Sequence, residues 1–202
     1  MEYSEVIRRR RMVRHFTDRP LAPEMVGKVL RSALRAPSAG FSQGWAFLSL
    51  TASADRARFW PVAAPWVTEN WQSVAQAPLI VVPLSHKKAY LERYAEDDKG
   101  WEDRAEARWP VPYWHIDTGM AALLMLLTAV DEGLGGFFFG IAPEYLGGFR
   151  AEFAVPEEYT PIGAVVVGYR AEEQPVEGSA ATRKRRGTDE VVHHGQWGRL
   201  TP

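Results

Sequence analysis

Between Ile116 and Glu132 the chain carries a helical stretch that is apolar on nearly every side. Met120, Leu123, Leu124, Met125, Leu126, Leu127 and Val130 cannot all be drawn onto one stripe. A helix of that kind demands cover all round, and a chain of 202 residues has little material with which to supply it. Two arrangements satisfy it: a core helix wrapped by the rest of the fold, or a helix whose outer face meets a second copy of the chain. A membrane span is not expected, because the apolar run from Gly119 to Val130 is about half of the ~20 residues a bilayer requires.

The other periodicities arrange themselves around this helix. Tyr3, Val6 and Ile7 make a short apolar stripe that leads into arginines. Leu21-Ala22-Pro23-Glu24 reads as a helix start, followed by a buried face of Met25, Val26, Val29, Leu30, Ala33 and Leu34, with Pro37 as the stop. Trp45 to Leu50 and Leu79 to Leu84 read as strands, and Pro83 predicts an edge position or a strand end for the second. Helical turns are expected around Ala54 to Phe59 and Trp71 to Ala75. Gly133-Leu134-Gly135-Gly136 ends the long helix, and Phe137 to Phe139 begins a strand. Pro143 to Phe153 reads as another helix and Ile162 to Tyr169 as a fully apolar strand. Alternating helices with three or four strands predict an α+β or α/β sandwich in one domain, residues 1–202. Residues 86–112 are charged but studded with Tyr90, Tyr94, Trp101 and Trp109, which suits a lid, an arm or a solvated helix pair. Residues 170–202 are polar and read as an extended tail.

Charge narrows the function. Arg8 to Arg11 with Arg14, and Arg183-Lys184-Arg185-Arg186, form a cationic cluster near each end of a chain whose formal charge is only −1. Such tracts serve nucleic acid, localisation, plain surface charge or a ligand phosphate. With 25 acidic residues spread against 24 basic ones, no basic domain face for nucleic acid is expected, and a compact phosphate is favoured. The chain has no cysteine, so disulfides and thiolate chemistry are excluded. Its five histidines show no paired-ligand spacing, so no metal is expected. Gly133 to Gly136 follows a helix rather than a strand and lacks dinucleotide-fingerprint spacing; Ser38 and Ser42 lack a nucleophile-elbow context. Asp117 beside His115 allows an acid–base pair, with a helix cap as the preferred reading. The polar start, Met1 to Arg11, lacks the apolar run of a secretory signal, and a cytoplasmic protein away from membranes is expected. A site without obvious acid, nucleophile or metal suits a cofactor that carries the chemistry itself.

Several segments, in order along most of the chain, resemble the nitroreductase family. Arg10-Arg11-Met12-Val13-Arg14-His15-Phe16 is similar to its Arg-Arg-Ser-x-Arg-x-Phe, and Ala36 to Trp45 to its Ala-Pro-Ser-x-x-x-Gln-Pro-Trp loop. Gly133 to Gly140 resembles its Gly-Leu-Gly turn and following strand, Ile162 to Tyr169 its last core strand, and Arg185-Arg186 with Asp189 to His193 its tail. The resemblance implies an α+β three-layer sandwich with a central, mostly antiparallel sheet. It also implies an intertwined homodimer with FMN at its interface.

The same resemblance implies roles. Arg10 and Arg186, helped by Lys184 or Arg185 and with Arg11 and Met12 alongside, would hold the FMN phosphate. Arg14 would lie by the pyrimidine edge of the flavin, where reduction places negative charge. Pro37, Ser38, Ala39 and Gln43 would pack on the ring or ribityl chain from across the interface, Asn70 would bond the ring, and Phe139 and Gly140 would face its N5 side. The implied reaction passes hydride from NADH or NADPH through FMN to an electron-poor small molecule such as a nitroaromatic or quinone, in ping-pong fashion. Three positions depart from the family pattern: Met12 for serine, Phe41 for asparagine and Gly44 for proline. The loop alone also resembles the flavin-consuming dimethylbenzimidazole synthases, and a flavin-storing protein without turnover is a further alternative.

Overall fold

The apolar runs pair into one antiparallel sheet, and helices cover both of its faces. The computed structural model describes residues 1–171 and 179–200. The chain divides into two compact units, Met1–Ala171 and Glu172–Pro202. Part of the expected tail, residues 172–178 and 201–202, lies outside the described residues.

The first unit runs α1 (Tyr3–Arg9), α2 (Pro23–Ala33), β1 (Trp45–Leu50), α3 (Ser53–Ala63), α4 (Pro65–Asn70) and β2 (Leu79–His86). It continues with α5 (Lys87–Tyr94), α6 (Tyr113–Asp131), β3 (Gly135–Phe139), α7 (Pro143–Phe153), β4 (Tyr159–Pro161) and β5 (Ala164–Gly168). Strand order is β1-β2-β5-β3, with β4 also paired to β2, and every ladder is antiparallel.

Period-two alternation feeds two cores. Ile80, Val82, Phe137, Phe139 and Val166 point to one face and meet Phe59 and Trp60 of α3, Val67 of α4 and Phe149 of α7. Leu79, Val81, Val165 and Val167 point to the other and meet Val29 of α2 and Ala121, Met125 and Ala129 of α6. The result is the expected three-layer α+β sandwich. Helix α6 is long and apolar enough to cross a bilayer by composition alone, but half of that stretch is buried inside the fold. Its outer face is only partly covered among the described residues: Ile116 and Leu123 are 41% and 46% exposed, and Met120, Leu127 and Val130 on the same stripe are half-buried.

Three expectations are corrected. Pro83 lies not at an edge but inside β2, opposite Phe47 of β1. It is tolerated because the neighbour on its other side is broken there: β5 pairs with Leu79 to Val81 and β4 with Leu84 to His86. The Pro83 carbonyl accepts from the Ile162 N–H between them at 3.1 Å. The apolar run from Ile162 is therefore not one continuous strand, since Gly163 turns the backbone at φ 144°. The polar tail is not uniformly extended either: in the second unit Ser179–Thr182 and Thr188–Val191 form one-turn helices, α8 and α9.

Ahead of these elements the chain between α1 and α2 runs along β3 and past the end of β5. Met12 bridges Gly136 in parallel and Phe16 bridges Arg170, with the Val13 N–H donating to the Gly136 carbonyl at 2.9 Å. That docking fixes where the first arginine tract leaves the fold.

Gly163→Ala is expected to destabilise the protein by about 2 kcal/mol or more, since a Cβ there would meet the Phe139 carbonyl at 2.5 Å on a positive-φ backbone. Gly147→Ala, inside α7 with open space around it, is expected to stabilise by up to ~1 kcal/mol. Denaturant unfolding of both variants checks the pair.

Candidate functional site

The arginines of the first tract do not share one fate. Arg8 and Arg9 turn back to Glu5 one helical turn earlier, Arg8 with two bonds of 2.9 and 2.7 Å. Arg10 and Arg11 make no ion pair with the described residues of their unit. Arg11 helps line a cavity of about 100 Å³, together with Arg9, Arg170 and the backbone at Gly133, Gly135 and Gly136. That volume suits a phosphate-sized group and falls well below the ~300–1,000 Å³ of a whole cofactor pocket. Met12 is exposed beside it.

Arg14 is held by rings rather than by an acid. Its guanidinium carbon lies 4.8 Å from the centre of the Trp71 ring and 5.0 Å from that of Phe137, and its Nη1 donates to the Met12 carbonyl at 3.3 Å. Its Nε is buried without a hydrogen-bond partner. Two aromatic faces thus hold a fixed charge whose donors are not all satisfied, at a cost that a ligand acceptor would remove.

The loop after α2 is bent hard. Gly40, Phe41 and Gln43 have φ of 59°, 56° and 48°, a region that side chains other than glycine and asparagine rarely enter. Ser38 stabilises the turn, its Oγ accepting from the Gln43 N–H at 3.0 Å. Pro37, Phe41 and Gln43 are exposed, whereas Ser38 and Ala39 are half-buried.

Other expected residues are placed differently. The Asn70 amide donates to the Trp66 carbonyl of its own helix at 2.7 Å. The Phe139 ring is 5% exposed and packed among core aromatics, so it does not face a ligand; Gly140 beside it is open. In the second unit Lys184, Arg185 and Arg186 are all exposed, and Arg186 donates to the Glu190 carbonyl at 2.7 Å.

Asp117 is not a helix cap. It lies in the second turn of α6, 2% exposed, and its Oδ2 accepts from the Ala39 N–H and from the Tyr90 hydroxyl, each at 2.8 Å. Burial first, and the Asp117 bond second, push the Tyr90 phenol well above its ordinary value. Sequence reasoning missed this pairing because Asp117 and Tyr90 are far apart in the chain; the one signal was a carboxylate inside an otherwise apolar helix. His115 is separate from Asp117: its Nδ1 is 2.7 Å from the Ser85 Oγ.

A scan against family models matches residues 7–169 to the nitroreductase family, and the chain belongs to that family. It is 27% identical over 175 residues, 85% of this chain and 79% of the relative, to a protein of Methanothermobacter thermautotrophicus provisionally named NADH dehydrogenase/NAD(P)H nitroreductase. It is 23% identical over 194 residues, 95% of this chain and 72% of the relative, to an NADPH-dependent oxidoreductase of Staphylococcus aureus. Among solved structures, a nitroreductase family protein of Streptococcus pneumoniae superposes with a TM-score of 0.73 at 20% identity, over 96% of this chain and all of that one (100%).

Burial, with Lys87 as the smaller cause, holds His115 below the ordinary histidine range. The folded state therefore resists a proton that the unfolded chain takes up near pH ~6.5. Stability is unaffected above that pH and falls as pH drops from there towards the folded value. His115→Gln is expected to lose less melting temperature than the parent between pH 7.5 and 5.5, checked by thermal scans at both.

Proposed function

We propose that this protein is an FMN-dependent oxidoreductase that takes hydride from NADH or NADPH and passes it to an electron-poor small molecule such as a nitroaromatic or quinone. The observation that carries the reading is Arg14, a cation pinned between Trp71 and Phe137 with a buried, unpartnered Nε. A fixed positive charge with spare donors suits the pyrimidine edge of a flavin, where Arg14 would favour negative charge without reorganising. Arg10, unpaired with the described residues of its unit, would supply a charged donor for the phosphate, and the resemblance gives Arg11, Lys184, Arg185 and Arg186 the same role. The open backbone at Gly140 leaves room for a flat ring to approach, while Asn70 would have to leave the Trp66 carbonyl to join. When bound, FMN supplies the hydride acceptance and donation; the protein binds it, orients it and sets its electrostatics. The nitroreductase family and the NAD(P)H-linked names of two relatives support the class of reaction. The nicotinamide reductant is an intracellular metabolite, so a cytoplasmic location goes with the reading.

The functional unit in this reading is a homodimer with FMN between the copies. The apolar outer stripe of α6, with Ile116 and Leu123 exposed, is the kind of surface that a second copy covers. Pro37, Ser38, Ala39 and Gln43 would then reach the flavin of the other subunit.

Arg10→Ala and Arg186→Ala are each expected to weaken FMN binding by about 1.5–3 kcal/mol, roughly tenfold to over a hundredfold, for a lost charged hydrogen bond. Flavin fluorescence titration measures it, and wild-type affinity in both variants would overturn the phosphate assignment. Leu123→Glu is expected to shift light-scattering mass from dimer to monomer and to release flavin with it; a wild-type protein that is monomeric with FMN bound would contradict the shared site.

A further inference from the structure

We propose that Asp117 and Tyr90 are positioning residues that hold the loop from Ser38 to Gly44 in its cofactor-binding shape, and that residues 86–112 act on the site by backing this pair. The inference rests on the FMN reading above. The loop is held against its own backbone preferences, with Phe41 and Gln43 both in the left-handed region. Such a conformation persists only where surrounding contacts over-determine it.

Those contacts come from two neighbouring elements. From α6, Asp117 accepts the Ala39 N–H at 2.8 Å. From α5, the Tyr90 hydroxyl donates to the same carboxylate oxygen at 2.8 Å, and the Arg93 Nε donates to the Gly40 carbonyl at 2.9 Å. The far end of the loop is held by the same helix and by the last residue of β2. Gly44 lies against the Tyr90 ring, and a Cβ there would also come within 2.7 Å of the His86 carbonyl. Its own carbonyl accepts from the His86 N–H at 2.8 Å. No residue with a Cβ could be built at this position without moving Tyr90, so the glycine and the buried tyrosine belong together.

Tyr90 is itself fixed from behind. The Trp109 ring lies 5.9 Å from Tyr90 and 4.5 Å from Tyr94, with Trp101 at 5.4 Å and Trp114 at 6.0 Å. Ion pairs tie the outside of the segment, Lys87 with Glu106 at 2.7 Å and Arg108 with Asp103 at 3.0 Å. The rings of residues 86–112 therefore pack on one another and on the loop's anchor, and the charges face outward. A buried carboxylate with two donors aimed at one oxygen is costly to leave half-satisfied. Removing either donor should loosen the loop rather than let it find a new bond.

Tyr90→Phe keeps the ring and removes only the hydroxyl; Asp117→Asn keeps the shape and removes the charge. In FMN-free protein both are expected to speed hydrogen exchange at the Ala39 amide and its loop neighbours by about tenfold, and both to weaken FMN by about tenfold in fluorescence titration. Phe149→Leu, in the opposite core layer, serves as a control with a comparable loss of melting temperature. It is expected to leave loop exchange and FMN affinity as in wild type. Rescue is expected for Asp117→Glu only if its carboxylate regains the Ala39 N–H, read from the same exchange rate. If wild-type protein binds FMN and Tyr90→Phe binds it equally tightly with unchanged loop exchange, the positioning role is wrong and the FMN reading stands. If wild-type protein takes up no FMN, the reading itself fails and this role falls with it.

Discussion

Burying α6 between the sheet and α2 is the constraint on which the remaining geometry hangs. The helix has too much apolar surface to tolerate solvent, so it packs lengthwise under β2, β5 and β3 with Ala121, Met125 and Ala129 turned inward. That placement sets both ends of the candidate site. Near its N-terminal end it carries Asp117 under the loop that follows α2. At its C-terminal end Gly133 to Gly136 turn into β3, where the Met12 bridge brings in the first arginine tract. The stripe that the sheet does not cover, Ile116 and Leu123, is left facing outward. One packing decision thus arranges a loop, a cationic tract and an apolar face.

The electrostatics follow from what each cation can find. Arg8 and Arg9 have Glu5 within a helical turn and satisfy themselves there. Arg14 leaves the same stretch in an extended segment, makes no ion pair among the described residues, and is held by aromatic faces instead. Aromatic faces attract a guanidinium but do not accept its directed N–H bonds. The cation is therefore fixed in place with bonding capacity left over, which is the condition in which a bound anion or polar ring edge gains most.

Much of the fold is legible in the sequence, for identifiable reasons. Trp45 to Leu50 and Pro143 to Phe153 fall where the sequence puts them, because each is short and opened by a turn-forming residue, Gly44 before the strand and Pro143 at the start of the helix. Pro83 misleads because the rule that keeps proline at edges assumes an unbroken neighbour, and here the neighbour is broken by Gly163. The short strand Tyr159–Pro161 carries too few residues to show a period, and α4 is hidden because Pro65 looks like the end of α3 rather than the start of another helix. The candidate site is less legible than the fold. Arg14 is singled out only by the resemblance of Arg10 to Phe16 to a family pattern; its aromatic clamp is not visible in the sequence, because Trp71 and Phe137 are brought to it only by the fold. Asp117 reads as a cap because a local partner is the default for an aspartate in a helix, while its actual partners, Ala39 and Tyr90, are tertiary.

The central claim is that flavin chemistry proceeds at this site with a nicotinamide reductant, and anaerobic absorbance titration tests it most directly. Protein reconstituted with FMN is titrated with NADPH and, separately, NADH while the visible flavin band is followed. The account predicts that the band is retained by the protein after desalting and bleaches stoichiometrically with at least one of the two nucleotides. Protein that holds no flavin after reconstitution, or flavin that stays oxidised with both, would contradict it.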